Sequence, residues 1–224
     1  MMKTNQEFKN EALAALKGNW APAVLCTVVL LLLSCIALGP SYVTNLTTMT
    51  ALQLSSNVAT ALITSGMLLA IFIFYPLMVG YTVTYNKLFV EADTALTGNM
   101  FKTMFNGYFR NVWGIFLMYL FISLWSLLLL IPGIIKTYSY AMTPYILQDY
   151  PELSANQAIN LSRKMMKGHK FDFFWLTLSF IGWAILCFFT FGIGYVWLMP
   201  YVQTTSAAFY QEVKKEYNAT TFNN

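Results

Sequence analysis

Apolar residues run in long blocks along this chain, and polar residues collect in the gaps between them. Blocks of 18 or more apolar residues are long enough to cross a hydrocarbon core about 30 Å thick as helix. Helices are the form predicted here, because unpaired backbone groups are too costly in lipid. The short alternating segments of a membrane barrel are not visible. The blocks predict spans near 20–39, 61–84, 111–131, 134–149, 171–190 and 193–210. The fold class expected is all-α: a polytopic transmembrane helical bundle of about six spans, forming one integral membrane domain over 1–224. The segment 134–149 is the shortest, about 24 Å of helix at ~1.5 Å per residue. It carries Thr137, Tyr138, Ser139, Tyr140 and Gln148, and a re-entrant hairpin is its alternative.

A loose repeat underlies the blocks. Three times, an amphipathic stretch precedes a helical hairpin, giving three hairpins, each led by a cytoplasmic amphipathic helix. The first begins with Thr4 and Glu7 as a capping box and an apolar stripe of Phe8, Ala12, Ala15 and Leu16. The second carries Phe101, Phe105, Tyr108 and Phe109. The third begins with Ser154 and Gln157, with Ala155, Ala158, Ile159, Ser162, Met165 and Met166 on one face. Each ends in basic residues beside an aromatic, the pattern of an interfacial anchor. The returning segments carry Pro76, Pro144 and Pro200, each of which should bend its helix.

Charge gives the blocks an orientation. Only 10% of residues are charged, against 58% hydrophobic, where a soluble domain carries about a quarter charged. With six spans, every Lys and Arg except Lys136 falls on one side. The positive-inside rule then puts both termini in the cytoplasm. The net charge of +4 suits loops facing anionic lipid. No basic patch of a nucleic-acid binder is present. The first apolar block is long and lacks a small-x-small cleavage site, so it is expected to stay as a helix rather than leave as a signal peptide. Cys26, Cys35 and Cys187 are read as buried free thiols.

Chemistry is sparse in this pattern. His169 is the one histidine, with Asp172 three positions on. A zinc site needs several converging ligands, so no metal, cofactor or catalytic residue is assigned. No ionisable side chain sits mid-span, which argues against an ion-coupled transporter. Gly192-Ile193-Gly194 is no nucleotide loop; it reads as a tight turn using glycine at positive φ. Pro132-Gly133 reads as the reversal between the third and fourth spans. Asn45-Leu46-Thr47 matches a glycosylation sequon, a pattern that chance supplies often.

Two residue sets remain as candidate sites. Tyr138, Ser139, Tyr140 and Gln148, with Gln203 and Thr204, could line a polar groove between spans four and six. Their bland role is interhelical hydrogen bonding, worth about 1 kcal/mol or less per bond. Arg163, Lys164, Lys167 and Lys170 are candidate contacts for anionic lipid headgroups.

Certain stretches are familiar: Ile131-Pro132-Gly133-Ile134-Ile135-Lys136, the run from Leu161 to Lys170, Phe180-Ile181-Gly182-Trp183, and Gly192 through Tyr201. Together they resemble the bacterial integral membrane family filed as domain of unknown function 975. More distantly, the Pro-Gly-Ile hairpin and the basic helix resemble the membrane domain attached to some glycerophosphodiester phosphodiesterases, whose catalytic barrel this chain lacks. The resemblance implies a bacterial inner-membrane protein and supplies no activity. The expected role is a non-catalytic scaffold, accessory or lipid- and envelope-associated protein. Its partners would be the bilayer, anionic headgroups and other membrane proteins. A transporter or lipid-handling protein is the alternative. An interfacial enzyme using Asp149, Glu152, His169 or Asp172 has no GxSxG or HExxH motif behind it.

Overall fold

The computed structural model describes residues 2–49 and 55–222, and every regular element among them is helical. The first unit holds α1 (Asn5–Leu16), α2 (Trp20–Met49), α3 (Ser56–Leu69), a π-helical turn (Ala70–Phe74) and α4 (Tyr75–Glu91). The second holds α5 (Leu96–Phe105), α6 (Tyr108–Leu128), α7 (Leu130–Tyr140) and α8 (Thr143–Asp149). The third holds α9 (Ala155–Met165), α10 (Lys170–Leu178), α11 (Ile181–Phe189) and α12 (Tyr195–Phe222).

Each unit starts as the repeat predicts. Thr4–Glu7 and Ser154–Gln157 both form complete capping boxes, in which side chain and backbone satisfy each other's orphan groups. Each amphipathic helix then turns into its long helix through a glycine at positive φ: Gly18, Gly107 and Gly168. At the first of these junctions α1 meets α2 at 97°.

Three stretches are long and apolar enough to cross a membrane: Ser56–Glu91, Tyr108–Leu128 and Lys170–Phe189. They contain the predicted span 61–84 and most of 111–131 and 171–190. A fourth arises if α1 and Trp20–Ile36 count as one bent span. The remaining predictions change in form. The helix predicted to stop at 39 runs through Pro40 to Met49. The outer segment beyond it lies partly outside the described residues, as do the side chains of the Asn45-Leu46-Thr47 sequon. The segment 134–149 is not one helix: α7 ends at Tyr140, and α8 restarts at Thr143 with Pro144 in its first turn. A proline cannot donate to the preceding turn, so a new helix start suits it better than a helix interior. The last predicted span lies within α12, where Gln203, Thr204, Thr205 and Ser206 dilute the apolar run.

The prolines explain two further details. Pro76 leaves the Phe72 carbonyl without its helical donor. That carbonyl sits in the π-helical turn and accepts the Tyr108 hydroxyl from α6. Pro200 is tolerated inside α12, where its own carbonyl accepts the Thr204 hydroxyl at 2.8 Å.

Hydrogen bonds and ion pairs bring the ends of the units together. Lys3 pairs with Glu11 at 2.8 Å and with Glu212 of α12 at 3.3 Å. The hydrogen bonds to these two carboxylates hold the Lys3 ammonium above the ordinary lysine range, against a smaller pull from burial. Gln211 donates to Asn86 of α4 at 2.7 Å. Lys214 reaches Asp149 of α8 at 2.6 Å. Arg110, at the start of α6, donates to the Leu147 carbonyl at 2.6 Å and to the Pro151 carbonyl. It thereby caps the C-terminal end of α8, where a cation also suits the helix dipole. The start of α1, the end of α4, the end of α8 and the C-terminal part of α12 therefore meet, and α6 starts beside the end of α8.

Two apolar clusters sit inside. One packs Phe8 of α1 against Phe209 of α12, with Ile146, Leu147 and Ile159 nearby. The other joins Cys26, Leu77, Tyr81, Tyr85 and Met100. Cys26 and Cys187 are buried, as read from the sequence, but Cys35 is exposed. Outside the clusters, large apolar side chains stay exposed, among them Leu124, Leu127 and Leu128 of α6 and Trp183, Leu186 and Phe188 of α11. The aromatic residues Phe105 and Phe109 belong to this outer surface, while α5 buries Leu96, Met100 and Met104 instead.

Candidate functional site

A cavity of about 530 Å³ lies between the units. Its walls come from Leu30 of α2, Met78 and Tyr81 of α4, Tyr138 of α7, Phe174 and Leu178 of α10, Ala184 of α11, and Leu198 and Val202 of α12. All three units contribute. The polar side chains at its wall include Tyr138, Thr177 and Gln203. Thr177 is occupied by the Phe173 carbonyl at 2.8 Å, and the Tyr81 hydroxyl by Thr27 at 2.8 Å. The rest of the lining is mostly aliphatic, with the Tyr138 and Tyr195 hydroxyls and the Gln203 amide as its remaining polar groups. A second apolar cavity of about 420 Å³ runs between Trp20, Trp183, Cys187, Trp197 and Tyr201.

The six residues proposed for a polar groove do not converge on one. Tyr138 and Gln203 line the large cavity. The Ser139 hydroxyl is occupied by the Ile135 carbonyl at 2.7 Å, and Thr204 by Pro200. Such back-bonding keeps a hydroxyl satisfied within its own helix. Tyr140 is buried, with its ring 5.7 Å from the Lys136 ammonium. Gln148 points the other way, donating to Asn111 at 2.9 Å and to the Asn106 carbonyl. Polar residues of α7, α8 and α12 thus serve helix packing, and the space they border is apolar.

The four basic residues proposed for headgroups do not share one hollow. Lys164 and Lys167 border a hollow with His169, Val213 and Glu216, beside the end of α12. Arg163 and Lys164 border another with Gln157 and Asn160. Lys170 instead faces α7, in a recess of about 250 Å³ with Ile134, Ile135, Tyr138, Phe171 and Phe174. The Ser162 hydroxyl donates to the Ser139 carbonyl at 3.0 Å and ties α9 to α7. The apolar face of α9 is buried in the protein: Ile159, Met165 and Met166 are all within the core. That stripe was expected to enter a bilayer, but α6, α8 and α12 occupy it. The cationic residues of α9 remain exposed.

Lys136 is the second surprise. The charge pattern set it apart from every other cation, yet it lies within electrostatic reach of Arg163 and Lys170. Its ammonium sits 4.5 Å from the centre of the Trp125 ring, a cation–π contact.

The residues considered for catalysis sit in separate contacts. Asp149 is held by Lys214 and by the Tyr210 hydroxyl at 2.7 Å. His169 stands 3.5 Å from Asp172 and 3.6 Å from Glu216. Glu152 is exposed. Among the described residues, no three His, Cys, Asp or Glu side chains are placed to hold a metal ion.

Helices long and apolar enough to cross a membrane, joined around an apolar interior, define a helical membrane protein. Residues 108–217, covering the second and third units from α6 onward, match the family described as Protein of unknown function (DUF975). No curated protein and no solved structure matches the chain.

Proposed function

We propose that the protein is a non-catalytic, multi-pass protein of the bacterial cytoplasmic membrane that binds lipid in the cavity between its three units. The observation that carries this reading is the cavity itself. Its volume of about 530 Å³ lies within the ~300–1,000 Å³ typical of ligand sites. Its lining offers a polar solute few partners, whereas a hydrocarbon chain needs none. A scaffold or accessory role in the envelope would then operate through a lipid held at the centre of the bundle.

In this reading the chain forms three membrane hairpins of six crossings. The common end, where Lys3, Asn86, Asp149 and Lys214 meet their partners, faces the cytoplasm. Both termini lie there, in keeping with the excess of Lys and Arg. Single cysteines at Ser55, Asn160 and Asn218 in a Cys-free background test the topology. Only the Ser55 site should react with an impermeant thiol reagent outside intact cells, and labelling at Asn160 would overturn it.

Native mass spectrometry of the full-length protein in mild detergent tests the lipid. The wild type should retain phospholipid. Ala184→Trp, which fills the cavity, should lose it while still eluting as a single species. Val202→Phe offers a second filling variant. Wild-type protein that carries no lipid, or filled variants that carry as much as wild type, would overturn the proposal.

A further inference from the structure

We infer that Gln203 and Tyr138 bind the ester carbonyls of a fatty-acyl lipid held in the cavity, so that the protein selects ester-linked over ether-linked chains. This rests on the proposal that the cavity holds lipid, and it adds the chemical group that is read and the residues that read it.

Polar residues follow one another from Gln203 to Ser206 in α12, and the first differs from the rest. The Thr204, Thr205 and Ser206 hydroxyls each donate to the carbonyl one turn back, at 2.8 Å. Gln203 carries two N–H donors and a carbonyl acceptor, and among the described residues its amide has no hydrogen-bond partner. It is half-buried in the wall of an apolar cavity. The Tyr138 hydroxyl of α7 is in the same condition: half-buried, lining the same cavity and unpaired among the described residues. Polar groups left without partners in apolar surroundings are unfavourable, and a ligand that accepts their hydrogen bonds removes that cost.

Both groups stand toward one end of the cavity. The Tyr138 ring packs on Phe173 at 6.1 Å, and Phe173 packs on Phe209 of α12 at 4.8 Å. Tyr138 therefore lies toward the part of α12 that follows Gln203. In the other direction the wall continues through Leu198 and Met199, with Ala184 of α11, to Tyr195. Tyr195 precedes Gln203 by roughly 12 Å of helix at ~1.5 Å per residue. The space is thus polar toward the common end and apolar toward the tip between α11 and α12, which is the polarity of an acyl chain with an ester at its head. None of the residues lining it is charged. A phosphate drawn inside would lose its hydration with no cation to compensate. An ester carbonyl accepts from N–H and O–H donors without bringing in a charge, so it fits these two side chains.

The test uses the full-length, delipidated protein in detergent, titrated with dioleoyl phosphatidylcholine or with the same phosphatidylcholine carrying ether-linked octadecenyl chains. The two probes share headgroup and chain length and differ in the carbonyls. Binding is read by native mass spectrometry and by the shift in Tm. The ester lipid should bind about fivefold more tightly than the ether lipid, or better, as one net hydrogen bond predicts. Gln203→Met keeps the length of the side chain and removes its amide. It should bring the two lipids to within about twofold of each other and leave ether binding within about twofold of wild type. Tyr138→Phe should roughly halve the preference, and it carries the test if Gln203→Met does not elute as a single species. Tyr195→Phe, at the far end of the cavity, should keep the preference. Equal binding of both lipids to the wild type would overturn this inference and leave the cavity proposal standing. Binding of neither lipid would overturn the cavity proposal, and this one with it. A preference that survives in both Gln203→Met and Tyr138→Phe, or that is lost equally in Tyr195→Phe, would put the ester elsewhere and overturn the assignment.

Discussion

The two hairpin tips, between α6 and α7 and between α11 and α12, both contain glycine, but they use it for different physical reasons. At the second tip the backbone needs glycine's torsional freedom. Helix α11 ends at Phe189 with Thr190 as its C-cap, Phe191 takes φ 52° and Gly192 takes φ 83°. The Gly192 amide bonds the Cys187 carbonyl at 3.0 Å and the Phe191 amide bonds Phe188 at 3.1 Å. This is a Schellman ending, which satisfies two orphan carbonyls. At the first tip no glycine makes the turn. Leu129 makes it, with extended φ −158° and ψ 137°. Pro132 and Gly133 already lie in the first turn of α7. Gly133 matters because α7 packs tightly on α6: a Cβ there would come within 2.8 Å of the Ser126 Cα. A glycine in a sequence signals that a side chain is unwelcome, without saying whether torsion or a neighbour forbids it.

That difference predicts unequal responses to substitution. The largest effect belongs to Gly133→Val. The obstruction is backbone, so rotamer changes cannot relieve it, and the two helices must separate. Overpacking of this kind costs about 1–3 kcal/mol and occasionally more. The variant should show a lower Tm and a lower monodisperse yield in detergent. Gly98→Val on the exposed face of α5, where nothing lies within 4 Å of the new Cβ, should stay within about 0.5 kcal/mol of wild type. Equal stability of the two variants would remove the close approach of α6 and α7.

The same distinction sets how much of the molecule could be read from its sequence. Features fixed by neighbouring residues were legible. Both capping boxes are present, and the junctions after the first and third amphipathic helices fall at the predicted basic–aromatic boundary, while the second comes earlier, at Gly107. The turn at Gly192 uses positive φ as expected. Features fixed by distant segments were not legible. Nothing local shows that α9 would turn Ile159 and Met166 into the core instead of toward lipid. Nothing local shows that Gln148 would turn toward Asn111 and away from Gln203. Periodicity cannot foresee the helix break at 141–142. The candidate site was therefore half visible: Tyr138 and Gln203 were singled out, but not the apolar walls of the cavity they border.

A smaller effect is expected at the second tip. Gly192→Ala keeps the hydrogen bonds available but asks a residue with a Cβ to hold φ 83°. An L-residue held in the left-handed region loses roughly 1–2 kcal/mol. No neighbour lies within 4 Å of that Cβ, so the loss should be purely torsional. Gly192→Asn, which tolerates this region better, should recover part of it. If alanine and asparagine are equally damaging in thermal unfolding, the cause is not torsion, and the contrast with Gly133 fails.

The smallest effect has the opposite sign. Phe191 occupies the left-handed position that glycine usually fills at a helix end, and its side chain is 98% exposed, leaving little protein packing to lose. Phe191→Gly relieves torsional strain in the folded state. It also gives the unfolded chain more freedom, which offsets part of the gain. A net stabilisation of roughly 0.5 kcal/mol is expected in detergent, read as a small rise in Tm. In a bilayer the same substitution removes a large apolar side chain from the tip. If Phe191 is seated in lipid there, the gain should vanish or reverse on transfer to nanodiscs, since burying such a side chain contributes about 1.5–3 kcal/mol. Destabilisation already present in detergent would mean that the ring packs against the protein, and the tip would then be held by a side chain as well as by its backbone.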